Sequence, residues 1–217
     1  MEFIAREITT NNWITILIVI CLALLASAKL LNPVKFSDFT LLFNTNKYIV
    51  LQQKPNKLST PFNIILIAFQ IISSSLFIYF CWKIFGLHNT SDETTLFFEI
   101  TILYTVVIIC KILIEKIVGT IFSIDTIIED YLFYKVSYRN FLGLILLPIN
   151  ILFVYTAEPS QIVLIALLVI LLILNLIVLF SVYKKNENII LNHLFYFILY
   201  LCALEMAPYY VLYKLIS

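Results

Sequence analysis

Long apolar runs alternate with short polar stretches along most of the chain. A helix needs about 20 apolar residues to cross the hydrocarbon core of a bilayer. Six runs meet or approach this length, at residues 13–31, 62–85, 96–118, 141–155, 162–182 and 191–213. They are continuous rather than alternating, which favours helices over the strands of a membrane barrel. The pattern predicts an all-α, polytopic membrane helix bundle of about six transmembrane helices, with residues 1–217 as a single integral-membrane domain.

Two segments between the runs mix apolar and polar residues and are predicted to be amphipathic helices. Residues 35–58 alternate apolar and polar side chains, as in a helix that lies on the membrane surface. In residues 119–140, Ile121, Ile124 and Ile128 recur at three- and four-residue spacing. Both segments are expected at the cytoplasmic interface, where they either form partner surfaces or pack beneath the bundle.

The basic residues at the ends of the runs predict the orientation. Four lie within residues 32–60, three within 116–139 and two at 184–185, which makes nine on one side against three on the other. An excess of Lys and Arg marks cytoplasmic loops. We therefore expect an inner-membrane protein with both termini periplasmic. Glu2, Arg6 and Glu7 give the N-terminal stretch a net charge of −1, unlike a secretory signal, so the first span is expected to be retained.

Composition supports a membrane location and excludes other classes of protein. Hydrophobic residues make up 62% of the 217 residues and charged residues only 12%, whereas soluble domains contain about 25% charged residues. A chain of this size has too little interior to hide so much apolar surface from water. The net charge of +1 provides no basic surface for nucleic acid. The expected partners are the lipid bilayer and either a membrane-protein partner or further copies of the chain.

The most informative polar residue within a run is Glu205, because an ionisable group inside a membrane needs a specific reason to be there. Pro208 follows three residues later and leaves the carbonyl of Leu204 without its helical partner. A carboxyl and a free carbonyl at a kink can bind a proton, a cation or a donor from another subunit. They can equally form a structural hydrogen bond with a neighbouring helix.

The third run contains three further candidates for a buried polar site. Tyr104 lies at the predicted depth of Glu205, and its hydroxyl is the better-placed donor to that carboxyl. Lys111 and Glu115 are four residues apart and share a helix face. They either belong to the buried site or reach to the cytoplasmic interface and anchor the helix.

Cofactor and catalytic sites are not predicted. His88 and His193 lie at opposite ends of the predicted spans, so they cannot share a haem or a metal. The four cysteines fall in four different runs and form no C-x-x-C motif. We expect no cofactor, no metal and no catalytic set, and therefore no enzyme.

Two stretches resemble a family of uncharacterised, multi-span inner-membrane proteins of Bacteroidota. One is residues 199–214, LYLCALEMAPYYVLYK, and the other runs from Lys111 through Lys135 to Pro148. The resemblance implies membrane location alone, because the family carries no established activity and hence no site residues to transfer.

Three functions are compatible with these features. The leading hypothesis is a non-enzymatic integral inner-membrane subunit, or an assembly or scaffold factor, of a larger membrane complex. The alternative is a small ion- or proton-coupled transporter that uses Glu205 near Pro208. A membrane-embedded lipid enzyme is a second alternative, although no paired His, Asp or Ser set supports it.

Overall fold

The computed structural model describes residues 12–42, 60–85, 92–121, 125–156 and 160–185. Within these residues the chain is all-helical, which confirms the predicted class. The helices are α1 (Asn12–Leu31), α2 (Pro33–Thr40), α3 (Pro61–Ile84), α4 (Glu93–Ile121), α5 (Asp125–Tyr155) and α6 (Gln161–Lys185). Four of them, α1, α3, α4 and α5, are long and apolar enough to cross a membrane. The sixth predicted span, residues 191–213, lies outside the described residues.

The helix boundaries follow from local sequence signals. Asn32 separates α1 from α2, and its side-chain oxygen accepts a hydrogen bond of 3.0 Å from the backbone N–H of Lys35. Pro33 and Pro61 occupy the first turns of α2 and α3, where a missing N–H breaks no helical hydrogen bond. Pro148 lies inside α5 without ending it. One lost backbone bond is tolerated there because neighbouring helices hold the rest of α5 in place.

Helix α5 lies at the centre of the bundle and packs against α1, α2, α3, α4 and α6. Its most extensive contact is with α3, which also packs on α1 and α4. Because α4 returns the chain across the bundle, α3 and α5 run in the same direction. Apolar clusters fill both ends, one around Phe39, Leu66 and Leu132 and the other around Ile14 and Tyr79. Helices α1 and α4, by contrast, leave broad apolar faces exposed.

No break in the helix marks the predicted boundary between an interfacial helix at 119–140 and a span at 141–155. Residues 119–121 end α4, and residues 125–155 form one continuous helix. Tyr131, Leu132, Phe133 and Tyr134 are buried in the bundle. At four-residue spacing, Ile128, Leu132 and Val136 are buried against neighbouring helices, whereas Ile121 is 70% exposed. A single sequence cannot distinguish such a packed face from a face that rests on lipid.

Only the start of the other predicted interfacial segment lies within the described residues. It forms part of α2, a helix of eight residues. Phe39 and the following Leu42 are buried, and the Phe39 ring meets Phe141 of α5 edge-on at a centroid distance of 6.2 Å. Residues 43–59 lie outside the described residues.

Candidate buried polar site

A buried ion pair joins the last third of α4 to the first half of α5. Nζ of Lys135 donates a hydrogen bond of 2.5 Å to Oε1 of Glu115. The side chain of Glu115 is only 4% exposed and that of Lys135 17%. Charges removed from water to this extent need a partner, since an unpaired buried charge is strongly destabilising. The pair therefore ties α4 to α5.

The ammonium group of Lys135 also contacts the hydroxyl and the ring of Tyr131. The Tyr131 hydroxyl lies 3.2 Å from Nζ of Lys135, and the same nitrogen lies 5.2 Å from the Tyr131 ring centroid. Tyr131 precedes Lys135 by one helical turn, the direction in which a helical lysine side chain leans. The second carboxylate oxygen, Oε2 of Glu115, is buried with no hydrogen-bond partner among the described residues.

Hydrogen bonds between helices form a second feature, which we call the central polar cluster. Nε2 of Gln70 on α3 donates to the Tyr104 hydroxyl on α4 at 2.6 Å and to Oγ of Ser74 at 3.1 Å. Oγ of Ser73 donates to the carbonyl of Gly143 on α5 at 2.9 Å. The cluster's members are Gln70, Ser73, Ser74, Tyr104, Gly143 and Asn150.

Asn150 is the remaining member of the cluster and lies about two helical turns after Gly143 on α5. Its Nδ2 atom donates a hydrogen bond of 2.8 Å to the backbone carbonyl of Ser73, which is a second hydrogen bond between α5 and α3. This agrees with the general expectation that asparagines in apolar spans bond between helices. Together these bonds link three helices. Gln70 and Ser73 lie within about 4 Å of the centre of the 24-residue helix α3 along its axis, whereas Asn150 lies near the C-terminal end of α5.

The absence of a side chain at Gly143 permits this close approach. A Cβ atom at that position would lie 3.1 Å from both Cα and Cγ of Gln70. Such distances are shorter than ordinary contact between carbon atoms, about 3.5–4.0 Å. Gly143 therefore sets the separation of α3 and α5 beside Gln70.

Two oxygens in the central polar cluster have no hydrogen-bond partner among the described residues. They are Oε1 of Gln70 and Oδ1 of Asn150, in residues that are 0% and 1% exposed. An unmet buried acceptor costs about 1–3 kcal/mol. The hydrogen bonds of the cluster thus hold helices together, while these two oxygens accept no hydrogen bond from the described residues.

The structure brings some of the sequence-predicted site residues into these two features. Tyr104 belongs to the central polar cluster, where it accepts a hydrogen bond from Gln70. Glu115 pairs with Lys135 on α5, while Lys111 lies half-buried one turn earlier on α4. Glu205 and Pro208 lie outside the described residues, so their expected contact with Tyr104 stays a prediction.

Sequence reasoning missed the residues that complete both features. The sequence placed Lys135 in a predicted cytoplasmic loop and gave no indication of its partner. It assigned no role to Gln70 or to the serines at 73–75. The sequence did contain a signal for Gln70 and these serines. A glutamine and, three positions later, three consecutive serines are unusual in the middle of an apolar run. Gly143 is one of only three glycines, and a helical glycine within an apolar run signals close helix packing.

The described residues contain no group of three or more His, Cys, Asp or Glu side chains that could hold a metal ion. Cys21, Cys81 and Cys110 are free thiols on three different helices.

Comparison with known proteins gives one match. The sequence profile described as "Domain of unknown function (DUF4271)" covers residues 14–216, nearly the whole chain. No curated protein and no solved structure matches.

Proposed function

Since the chain belongs to the DUF4271 family, whose function is unknown, we propose its role from the structure: it is a non-enzymatic integral membrane subunit, or assembly factor, of a larger membrane complex. The proposal includes about six spans, an inner-membrane location and periplasmic termini. The excess of Lys and Arg in the predicted cytoplasmic loops supports that orientation.

One observation carries the proposal: three of the described polar contacts inside the bundle join one helix to another, and the outer faces are apolar. Gln70 bonds to Tyr104, Ser73 to Gly143, and Lys135 to Glu115. Bonds of this kind hold transmembrane helices together. This use of polar groups favours a structural role over a path for a solute.

The outward face of α4 supports a role in association. Its exposed apolar residues recur every three or four positions, at Phe98, Ile102, Val106, Ile109, Leu113 and Ile117. Such a continuous apolar stripe faces either lipid or the helix of another membrane protein. Small, tightly packed membrane subunits use such faces for assembly, since helices in lipid associate through van der Waals packing.

The test is purification of the tagged protein in a mild detergent, followed by native sizing and mass spectrometry. We expect a membrane-protein partner in stoichiometric amount. Tryptophan substitutions on outward faces, Val106→Trp on α4 and Val19→Trp on α1, then identify the face that the partner covers. A lone monomer or homodimer would overturn the proposal in this form.

A second candidate function is ion or proton handling, as in a small ion- or proton-coupled transporter. The observation that favours it is the buried carboxylate of Glu115, whose Oε2 atom has no partner among the described residues. Glu205 near Pro208 is the second carboxyl of this candidate. Glu115→Gln and Glu205→Gln should abolish proton-coupled flux in proteoliposomes if either carboxyl cycles a proton. A structural role predicts unchanged flux and altered stability.

A further inference from the structure

Two unmet acceptors flank a single contact at the middle of the bundle. Gln70 packs directly against Gly143, and Asn150 donates to the carbonyl of Ser73, whose hydroxyl in turn donates to Gly143. Gln70 and Asn150 are therefore linked through the hydrogen bond between Ser73 and Gly143. Their amide oxygens, Oε1 and Oδ1, are both buried and lack a partner among the described residues.

Rotation of the amide groups does not remove the deficit. Nδ2 of Asn150 donates to a backbone carbonyl, which cannot act as a donor, so Asn150 cannot be turned without loss of that bond. If Gln70 is turned, its oxygen meets the Tyr104 and Ser74 hydroxyls, but Nε2 is then left without an acceptor. Either orientation leaves an amide atom without a partner among the described residues.

Both unmet acceptors belong to residues that are closed to bulk solvent, since Gln70 is 0% and Asn150 1% exposed. Internal water typically satisfies such groups, and one molecule makes about three hydrogen bonds.

We propose that the central polar cluster binds internal water, which donates hydrogen bonds to Oε1 of Gln70 and Oδ1 of Asn150. The site makes the contact between α3 and α5 beside Gly143 a hydrated point of the bundle. This inference does not depend on the proposed role as a complex subunit. A small monovalent cation is the other species that amide and hydroxyl oxygens coordinate, and the experiment separates the two.

The test is radiolytic hydroxyl labelling of the full chain in lipid nanodiscs, because water trapped inside a protein generates radicals that modify adjacent side chains. Tyr104, which touches Gln70, is the reporter. Phe77, buried on α3 with Leu146 and Leu164, is the dry control. We expect Tyr104 to be modified several-fold faster than Phe77.

Variants test whether the labelling of Tyr104 depends on the central polar cluster. Gln70→Met removes one acceptor at similar side-chain length and should lower Tyr104 labelling towards the rate of Phe77. Thr101→Val on α4 lies outside the cluster and removes a hydroxyl that donates to the carbonyl of Phe97, so it should preserve the labelling. Native sizing checks that each variant is folded, and Asn150→Val substitutes for Gln70→Met if that variant does not fold.

Two results would overturn the proposal. Equal labelling of Tyr104 and Phe77 in the unmodified chain means that the cluster is dry. Low labelling of Tyr104 together with a thermal stability that rises with NaCl or KCl, but not with N-methylglucamine chloride, means that a cation occupies the site instead.

Discussion

Glu115 and Lys135 lie 20 positions apart in the sequence and meet across the α4–α5 contact, with 2.5 Å between Oε1 and Nζ. This pair connects opposite charges inside the bundle, since the two side chains are 4% and 17% exposed. The other ion pair, between Lys83 and Glu93, joins α3 to α4 at an exposed position where both side chains are 44% accessible. The two pairs provide a matched comparison.

Removal of Lys135 should strongly destabilise the bundle. Lys135→Met leaves the buried carboxylate of Glu115 without its ammonium partner, a change that costs about 3–5 kcal/mol in comparable buried pairs. Lys83→Met should cost at most about 1 kcal/mol, because that pair is exposed to solvent. Unfolding in a denaturing-detergent titration measures both.

The double variant Glu115→Leu with Lys135→Met tests the explanation. We expect it to regain most of the lost stability, because no uncompensated charge remains. A double variant as unstable as Lys135→Met alone would mean that packing, rather than charge, sets the effect.

Substitution of Gly143 should push α3 and α5 apart. Gly143→Ala places a Cβ atom 3.1 Å from Cα of Gln70, and overpacking of this kind costs about 1–3 kcal/mol. Gly143→Leu should be worse. Thermal unfolding of the purified protein should show a larger loss of stability for Gly143→Leu than for Gly143→Ala, and unchanged stability of both variants would contradict the close-approach argument.

Loss of the Tyr104 hydroxyl should weaken the contact between α3 and α4. Tyr104→Phe removes the acceptor that lies 2.6 Å from Nε2 of Gln70 and should cost about 0.5–1.5 kcal/mol. Thr105→Val is the matched change on the same helix. Its hydroxyl bonds only to the carbonyl of Thr101 within α4, so we expect a smaller loss. Denaturant titration of the two variants distinguishes the interhelical bond from the local one.

The proposed orientation can be tested with cysteine labelling in intact cells. In a chain whose four native cysteines are replaced by alanine, Ser160→Cys lies before α6 and Ser123→Cys lies between α4 and α5. A membrane-impermeant maleimide should label Ser160→Cys directly and Ser123→Cys only after permeabilisation. The reverse result would assign the opposite orientation.

The sequence determined the helical class and the approximate extent of α1, α3 and α4. This information is local, because apolar runs and proline positions act through neighbouring residues of the same chain segment. Residues 125–140 show the limit of such local information. Their apolar spacing predicted a helix correctly, but a face that packs on α3 and a face that rests on lipid have the same period.

Only the tertiary structure decided which polar residues meet. Lys111 and Lys135 were both available to Glu115 by charge, and the packing of α4 against α5 placed Lys135 at Oε1. Gln70 and Tyr104, 34 positions apart, meet because α3 and α4 are adjacent and each presents its polar residue to the other. Such pairings depend on the adjacency and rotation of helices. The packing of many side chains determines both, and no local pattern along a single chain encodes them.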